Sequence, residues 1–342
     1  LRCSPEEFLK EKIQVPTYRA LYLDKLLEKN EEIYDSRDSY FRALVKNFKT
    51  VSDANFDIPK SIRPIMRGYQ RTGYRWLRTL EQSGFGGILA DDMGLGKTLQ
   101  IITLLLDEKL SVSRNVPSLI IAPASLVFNW ENEIAKFAPM LNTLIVTGTK
   151  ENRRRALEKA DKYDVIITSY DLLKRDIELY NDLSFRFQVI DEAQNIKNFS
   201  TDNAKCVKKI KAQTRFALTG TPIENRLSEL WSIFDYLMPG FLYTYAKFRN
   251  KFEQPISSSQ DIGAMKGLNR MISPFVLRRL KKDVLKELPE KQEYDVYTQM
   301  QGKQHKLYVA NALRLKGIIE DTAEDDFKDK RMEILSELMR LR

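Results

Sequence analysis

The feature that most constrains this chain is a short apolar run, residues 88–90, that breaks into the loop Asp-Asp-Met-Gly-Leu-Gly-Lys-Thr at 91–98. Two glycines let a backbone curl so that successive N–H groups point inward, and a following helix presents its positive N-terminal dipole to an anion. Lys97 adds a cation for the β- and γ-phosphates, and the Thr98 hydroxyl suits Mg²⁺. The loop predicts a nucleoside triphosphate site; the alternative is an ordinary strand-to-helix turn with an exposed lysine.

A pair of acids supplies the second half of such a site. Residues 187–190 form an apolar-rich run that ends in Asp191 and Glu192, 94 positions after Lys97. The end of a buried strand would place Asp191 beside the phosphate loop, where it can hold the Mg²⁺ shell, and Glu192 where it can orient or deprotonate water. The alternative is two solvated acids at a strand end.

Short β-branched runs that alternate with helical periodicity predict an α/β fold with a doubly wound parallel sheet, whose ligands bind at the carboxyl ends of the strands. The predicted strands are 87–90, 119–122, 144–146, 165–168, 188–190 and 216–218. We expect a helical N-terminal extension at 1–60, an ATP-binding lobe at 61–240, a helical insertion with a return to the lobe at 241–300, and a helical linker at 301–342.

Composition argues against several other kinds of site. The chain has 342 residues, 43% hydrophobic and 30% charged, which is enough for one large or two medium domains. His305 is the only histidine, and the cysteines Cys3 and Cys206 are too far apart for a metal knuckle. Aliphatic runs are too short to span a membrane, so we expect a protein of the cytoplasm, or of the nucleus in a eukaryote. Lysine, threonine, carboxylates and backbone must supply the chemistry.

Several longer motifs resemble one family. The segments similar to motifs of the Swi/Snf (switch/sucrose-non-fermenting) branch of the superfamily-two helicase-like ATPases are 65–77, 87–98, 119–130, 165–170, 191–198, 217–231 and 275–291. The resemblance implies the first RecA-like lobe of a P-loop NTPase. It also accounts for Asp91, which stands where the general phosphate-loop pattern, Gly-x-x-x-x-Gly-Lys-Thr or -Ser, has its first glycine. It implies ATP and Mg²⁺ as ligands, Lys97, Asp191 and Glu192 as catalytic residues, and Thr98 and Asp191 at the metal. The implied nucleotide contacts are Gln70 at the adenine edge, Met93, Gly94, Leu95, Gly96, Lys97, Thr98 and Leu99.

The same resemblance implies residues that face a nucleic acid. The residues implied to couple the nucleotide site to the DNA site are Gln194, Thr219, Gly220 and Thr221. Many family members have histidine in place of Gln194. Phosphate contacts position a track without reading its sequence, and the implied DNA contacts are Pro123, Ser125, Asn129, Trp130, Thr168, Ser169, Tyr170, Lys197, Arg278 and Arg279. Two alternatives stay open: the hydroxyls can cap helices, and the arginines can form a solvated helix face.

The family's ATPases need two lobes, the second of which supplies arginines, and no such motif follows residue 300. We therefore expect this chain to be part of a longer double-stranded DNA translocase that displaces an unknown bound protein, and to hydrolyse ATP barely on its own. A net charge of +9 suits a polyanion. The rivals are another superfamily-two enzyme, such as an RNA helicase or a restriction motor, and a non-catalytic interaction module.

Overall fold

A parallel sheet with helices between its strands organises the chain. The computed structural model describes residues 56–111, 116–220, 226–285, 294, 296–320 and 330–341. Among these residues the sheet has the order β3-β4-β2-β5-β6-β1-β7, and every pairing is parallel. This arrangement confirms the predicted α/β sheet. The strands are β1 (Gly87–Leu89), β2 (Ser118–Ala122), β3 (Thr143–Ile145), β4 (Val165–Ser169), β5 (Ser184–Ile190), β6 (Lys211–Leu218) and β7 (Val276–Leu277).

The α-helices connect these strands and then form the segments that follow β6. Most residues of the first connecting helices that face the sheet are buried and apolar. The helices are α1 (Gly68–Gln82), α2 (Lys97–Ser111), α3 (Val127–Phe137), α4 (Lys150–Leu157), α5 (Tyr170–Arg175), α6 (Asp202–Lys209), α7 (Leu227–Leu237), α8 (Tyr245–Phe248), α9 (Gln254–Ser259), α10 (Ile262–Ile272), α11 (Lys281–Val284), α12 (Gly302–Glu320) and α13 (Arg331–Leu341).

Strands β2 and β4 are mostly apolar because helices cover both faces of a parallel sheet. Every residue of β2 and β4 is buried, and Ile120 pairs with Ile167 on one side and Val189 on the other. Strands β5 and β6 begin four and five residues earlier than the sequence predicted. Their first halves carry polar side chains, which interrupt the apolar pattern that predicts a buried strand. One of these, Arg186, forms ion pairs with Glu81 and Glu108.

A seventh strand lies within the segment at 241–300 that the sequence predicts as a helical insertion with a return to the lobe. Strand β7 pairs with β1 through Val276 beside Ile88, and the indole N–H of Trp76 donates to the carbonyl of Pro274 at 3.1 Å. The ring of Phe275 packs edge-on against Phe85, with centroids 5.3 Å apart. The sequence reading placed only a return to the lobe here, because two apolar residues are too few to show a strand period.

The chain divides into two units, residues 1–286 and 287–342. The sheet belongs to the first unit, and helices α12 and α13 belong to the second. Within the described part of the chain, we find no helix of the length and apolar character that a membrane crossing requires. Most of the predicted helical extension at 1–60 lies outside the described residues, as do Thr221 and residues 288–291, where the sequence predicts a turn.

Candidate nucleotide site

The phosphate loop lies between β1 and α2, at the carboxyl edge of the sheet. Gly94 has φ +84° and Gly96 has φ +74°, a conformation that side chains with a Cβ rarely adopt. A Cβ at Gly96 would also lie 2.4 Å from Nε2 of Gln70. Helix α2 begins at Lys97, so its first-turn N–H groups lack helical partners and are available to an anion.

Lys97 links the loop to the acidic pair. Its Nζ donates to the backbone carbonyl of Asp91 at 2.8 Å. Burial lowers the pKa of Lys97 below its ordinary value, and the negative charges of Glu192 and Asp191 partly offset that effect. The loop follows β1 and the two acids follow β5, and these parallel strands lie on either side of β6, so the loop and the acids share one edge of the sheet.

Asp191 is held from three directions. One carboxylate oxygen accepts from the indole N–H of Trp130 at 2.9 Å, and the other accepts from the backbone N–H of Glu192 at 2.9 Å. The hydroxyl of Tyr170 donates to the Asp191 carbonyl at 2.7 Å. Burial raises the pKa of Asp191 above its ordinary value, while the Trp130 hydrogen bond opposes that shift. The aspartate is therefore fixed before any ligand arrives.

The residues expected at the metal fit magnesium chemistry. Thr98 and Asp191 are both partly exposed, and they offer a hydroxyl and a carboxylate. Mg²⁺ prefers such hard oxygen ligands, and proteins commonly hold it through one or two carboxylates together with substrate phosphates. Each Asp191 oxygen keeps an unused lone pair beyond its one hydrogen bond. The donor set suits an ion that the protein and a bound triphosphate would hold jointly.

A hydrogen-bonded chain runs from Glu192 toward the phosphate loop. Glu192 has φ +50°, a left-handed conformation that costs a residue with a Cβ about 1–3 kcal/mol. The amide of Gln194 donates to its carboxylate at 2.7 Å, and the hydroxyl of Thr219 donates to the Gln194 oxygen at 3.3 Å. The Thr219 N–H in turn donates to Leu89 of β1 at 3.2 Å, and a Cβ at Gly220 would contact Met93.

The other predicted nucleotide contacts divide by burial. Gln70 is buried, where its oxygen accepts from the Arg67 N–H at 2.9 Å and its amide donates to the Leu95 carbonyl at 3.1 Å. Met93 is 64% exposed, whereas the side chains of Leu95 and Leu99 are buried in the core. A nucleotide can therefore meet Leu95 and Leu99 only through their backbone, in keeping with the prediction that backbone N–H groups line the loop.

The predicted DNA contacts are only partly available at the surface. Ser125, Asn129 and Arg278 are exposed, and Pro123 and Lys197 are partly exposed. The side chains of Thr168, Ser169, Tyr170 and Trp130 are buried, so the expectation that they meet phosphates is corrected. Three of these side chains are engaged elsewhere: Ser169 caps α5 by accepting from the Leu172 N–H, and Trp130 and Tyr170 hold Asp191.

Arg279 requires the same correction. Its guanidinium pairs with the buried carboxylate of Asp91 instead of facing solvent. The sequence does not predict this pair, because 188 positions separate Arg279 from Asp91. It also does not predict Gln100, whose amide donates to Asp91 at 3.2 Å, or the anchoring roles of Trp130 and Tyr170. No local pattern distinguishes such residues from ordinary core or surface positions.

Comparison with known proteins decides the family. A model of the SNF2-related domain matches residues 69–342, and a model described as bacterial SNF2 helicase associated matches residues 1–59. This chain belongs to the SNF2-related family. The match confirms the predicted Swi/Snf membership, which rested on the motifs between residues 65 and 291.

Solved structures and curated relatives agree with this placement. The SNF2-related chain resembles the Sulfolobus solfataricus SWI2/SNF2 ATPase core in complex with dsDNA, with a TM-score of 0.62, 42% identity and coverage of 84% of this chain and 60% of that one. This likeness confirms the RecA-like fold. An uncharacterized ATP-dependent helicase of Mycoplasma pneumoniae is 40% identical over 86% of this chain. The TATA-binding protein-associated factor MOT1 of Saccharomyces cerevisiae is 38% identical over 91%. The chain spans 28% and 18% of the lengths of these two relatives.

Proposed function

We propose that this chain is the ATP-binding lobe of a motor that hydrolyses ATP to move along double-stranded DNA and displace bound protein. The observation that carries the proposal is the placement of the phosphate loop after β1 and of the acidic pair after β5, two parallel strands that flank β6, so that the charges of Asp191 and Glu192 act on Lys97. A cation, a metal-binding carboxylate and a second carboxylate for water are the parts that phosphoryl transfer to water requires. Intact parts of this kind argue against a purely structural interaction module.

The geometry suggests how each residue acts. Lys97 would exchange the Asp91 carbonyl for the β- and γ-phosphates, and Thr98 and Asp191 would hold Mg²⁺, which neutralises charge that develops on the phosphates. Glu192 would orient the attacking water. Gln194 donates to one Glu192 oxygen, which restrains the carboxylate and leaves the second oxygen to accept from water. Glutamine keeps this hydrogen bond at any pH, whereas a histidine at that position would titrate near neutrality.

Coupling to DNA would pass through the same hydrogen-bonded chain. Thr219 follows β6, which lies between the strands that carry the phosphate loop and Asp191. The exposed DNA candidates Ser125 and Asn129 follow β2, which pairs with β5. A change at the γ-phosphate therefore has a short path, through Gln194 and β5, to the surface proposed for the track. The printed name of the Sulfolobus structure, a complex with dsDNA, supports duplex DNA as that track.

The complete site would include a second lobe. The Sulfolobus core that this chain resembles is longer, and the chain covers 60% of it. We propose that a second RecA-like lobe of the same protein supplies arginines that complete the site, and that ATP binding and hydrolysis close and reopen the two lobes. The yeast relative, a TATA-binding protein-associated factor, supports a protein bound to DNA as the target. Such a motor would work wherever the cell keeps its DNA.

The test is ATP turnover by the full-length protein with duplex DNA, single-stranded DNA or RNA. We expect duplex DNA to stimulate hydrolysis most. Thr219→Val removes the hydroxyl that reaches Gln194 while keeping the shape, and it should lower the duplex-stimulated rate by about tenfold, the effect of one hydrogen bond of 1.4 kcal/mol. The matched control is Thr72→Val, since that hydroxyl lies on the exposed side of α1.

Two outcomes would contradict the proposal. Greater stimulation by RNA than by duplex DNA would favour the RNA-helicase alternative. Absence of turnover with every polymer, in a folded full-length protein, would favour the interaction module. Equal duplex stimulation of Thr219→Val and the wild type would remove the coupling role of Thr219 alone.

A further inference from the structure

A buried carboxylate occupies the position where the general phosphate-loop pattern has its first glycine. The Asp91 side chain is 0% exposed and must therefore find a partner for its charge. Arg279 supplies it with a two-pronged contact: Nε donates to Oδ1 at 2.8 Å, and Nη2 donates to Oδ2. Gln100 of α2 adds a third donor to the same carboxylate at 3.2 Å. The loop and the helix that follows it thus depend on one arginine from the segment after β7.

The same guanidinium also reaches the segment at 65–77, the glutamine motif, which contains Gln70. Its Nη1 donates to the backbone carbonyl of Tyr69, and its carbon lies 5.2 Å from the centroid of the Tyr69 ring. Tyr69 immediately precedes Gln70, whose amide donates to the Leu95 carbonyl within the phosphate loop. Arg279 therefore connects the two sequence motifs that are expected to hold the adenine and the phosphates of one nucleotide.

Backbone pairing fixes Arg279 in this place. The Ala90 N–H donates to the Leu277 carbonyl at 2.7 Å, and the Asp92 N–H donates to the carbonyl of Arg279 itself at 3.0 Å. The Lys281 N–H donates to the Asp92 carboxylate at 2.9 Å. The segment at 277–281 thus continues the pairing of β7 with β1 and follows the loop as it leaves the sheet.

The packing around the guanidinium leaves no free space on the side of α1. A Cβ at Gly73 would lie 1.8 Å from the Gln100 oxygen and 2.8 Å from Nη2 of Arg279. Real Cβ contacts are essentially never that short, so α1 can approach the cluster only with glycine at this position. The guanidinium fork, Gln100 and α1 form one close-packed unit.

We propose that Arg279 is a positioning residue for the nucleotide and not a DNA contact. Through Asp91 and Tyr69 it sets the distance between the phosphate loop and the glutamine motif. It also neutralises a carboxylate that would otherwise repel a triphosphate, because the charge of Asp91 acts on Lys97. Arginine suits this task because its planar fork can meet a carboxylate and a carbonyl at once. The inference rests on the proposed function, since it assigns a role within the same nucleotide site.

The test compares Arg279→Gln, Arg279→Lys and the wild type in the full-length protein. The control is Arg270→Gln, because Arg270 is an exposed arginine of α10 outside this cluster. Three quantities are measured: the Kd of a fluorescent ATP analogue with Mg²⁺, the KM and kcat for ATP with saturating duplex DNA, and the Kd for duplex DNA without nucleotide. Thermal unfolding establishes that each variant is folded.

We expect Arg279→Gln to raise the nucleotide Kd and KM by about tenfold, the effect of one charge-assisted hydrogen bond, while kcat falls much less. Arg279→Lys should recover part of the affinity, because it restores the charge without the fork. Duplex affinity should not change, and Arg270→Gln should resemble the wild type throughout.

The proposal is overturned by a folded Arg279→Gln protein with wild-type nucleotide affinity. It is equally overturned if the loss falls on duplex affinity, which would return Arg279 to the DNA surface. If the glutamine variant fails to fold, a wild-type nucleotide Kd in Arg279→Lys overturns it. A wild-type protein that binds no nucleotide would instead refute the proposed function, so the two failures are distinguishable.

Discussion

The 342-residue chain alone is expected to hydrolyse ATP about 10³–10⁵ times more slowly than the longer protein with its second lobe, the range that a missing arginine finger costs in phosphoryl transfer. Within the described part of the lobe, Lys97 lies near the acidic pair, but Arg279 is already engaged by Asp91. No arginine of this cluster is therefore available to stabilise charge on the γ-phosphate. The measurement is single-turnover hydrolysis with the protein in excess over ATP and with saturating duplex DNA.

The comparison requires that both proteins bind ATP. The contacts of the phosphate loop, including the Gln70 hydrogen bond to Leu95, belong wholly to this chain. We therefore expect the lone chain to bind the nucleotide, although more weakly, and to fail in the chemical step. If the lone chain turned over ATP at the rate of the longer protein, the requirement for a second lobe would be refuted.

The full-length Glu192→Gln variant should lose about 10²–10⁴ in kcat, the usual contribution of a positioned general base. ATP affinity should persist because Lys97, Thr98 and Asp191 are unchanged. Glutamine has the shape of glutamate, and its side-chain oxygen can still accept the hydrogen bond that Gln194 donates at 2.7 Å. The loss would then report the missing negative charge and not a collapsed loop.

The control for this variant is Glu158→Gln, which changes an exposed acid just after α4. It should leave kcat and KM unchanged. Equal kcat values for Glu192→Gln and the wild type would show that Glu192 does not activate water. A rise in KM at constant kcat would assign Glu192 to binding instead.

The fold was predictable because its signals are local. The loop at 91–98 and the apolar runs of β1, β2 and β4 are continuous stretches whose chemistry does not depend on distant residues. Strand β7 was not predictable, since a two-residue strand has no period and is defined by its pairing with β1. The polar first halves of β5 and β6 were not predicted either, because polar side chains interrupt the apolar pattern. In β5, ion pairs with the distant acids Glu81 and Glu108 satisfy Arg186.

The kinds of residue at the candidate site could be predicted from the sequence, but their arrangement in space could be predicted only in part. Motif positions predicted Lys97, Asp191 and Glu192 as site residues, and the strands that precede them, β1 and β5, flank β6 in the sheet. They could not show that Trp130 turns inward to hold Asp191, because that contact spans 61 positions. Residues after a strand end can face the surface or the site behind it, and packing decides between the two. Trp130 and Tyr170 therefore support Asp191, whereas Ser125 and Asn129 remain candidates for contact with DNA.

The most direct test of the central claim is displacement of a triplex-forming oligonucleotide from duplex DNA by the full-length protein. A motor that moves along the duplex removes the third strand without separating the other two. We predict ATP-dependent displacement by the wild type and none by Glu192→Gln with ATP bound. Robust duplex-stimulated hydrolysis without displacement, or equal displacement by the Glu192→Gln variant, would contradict a translocating motor.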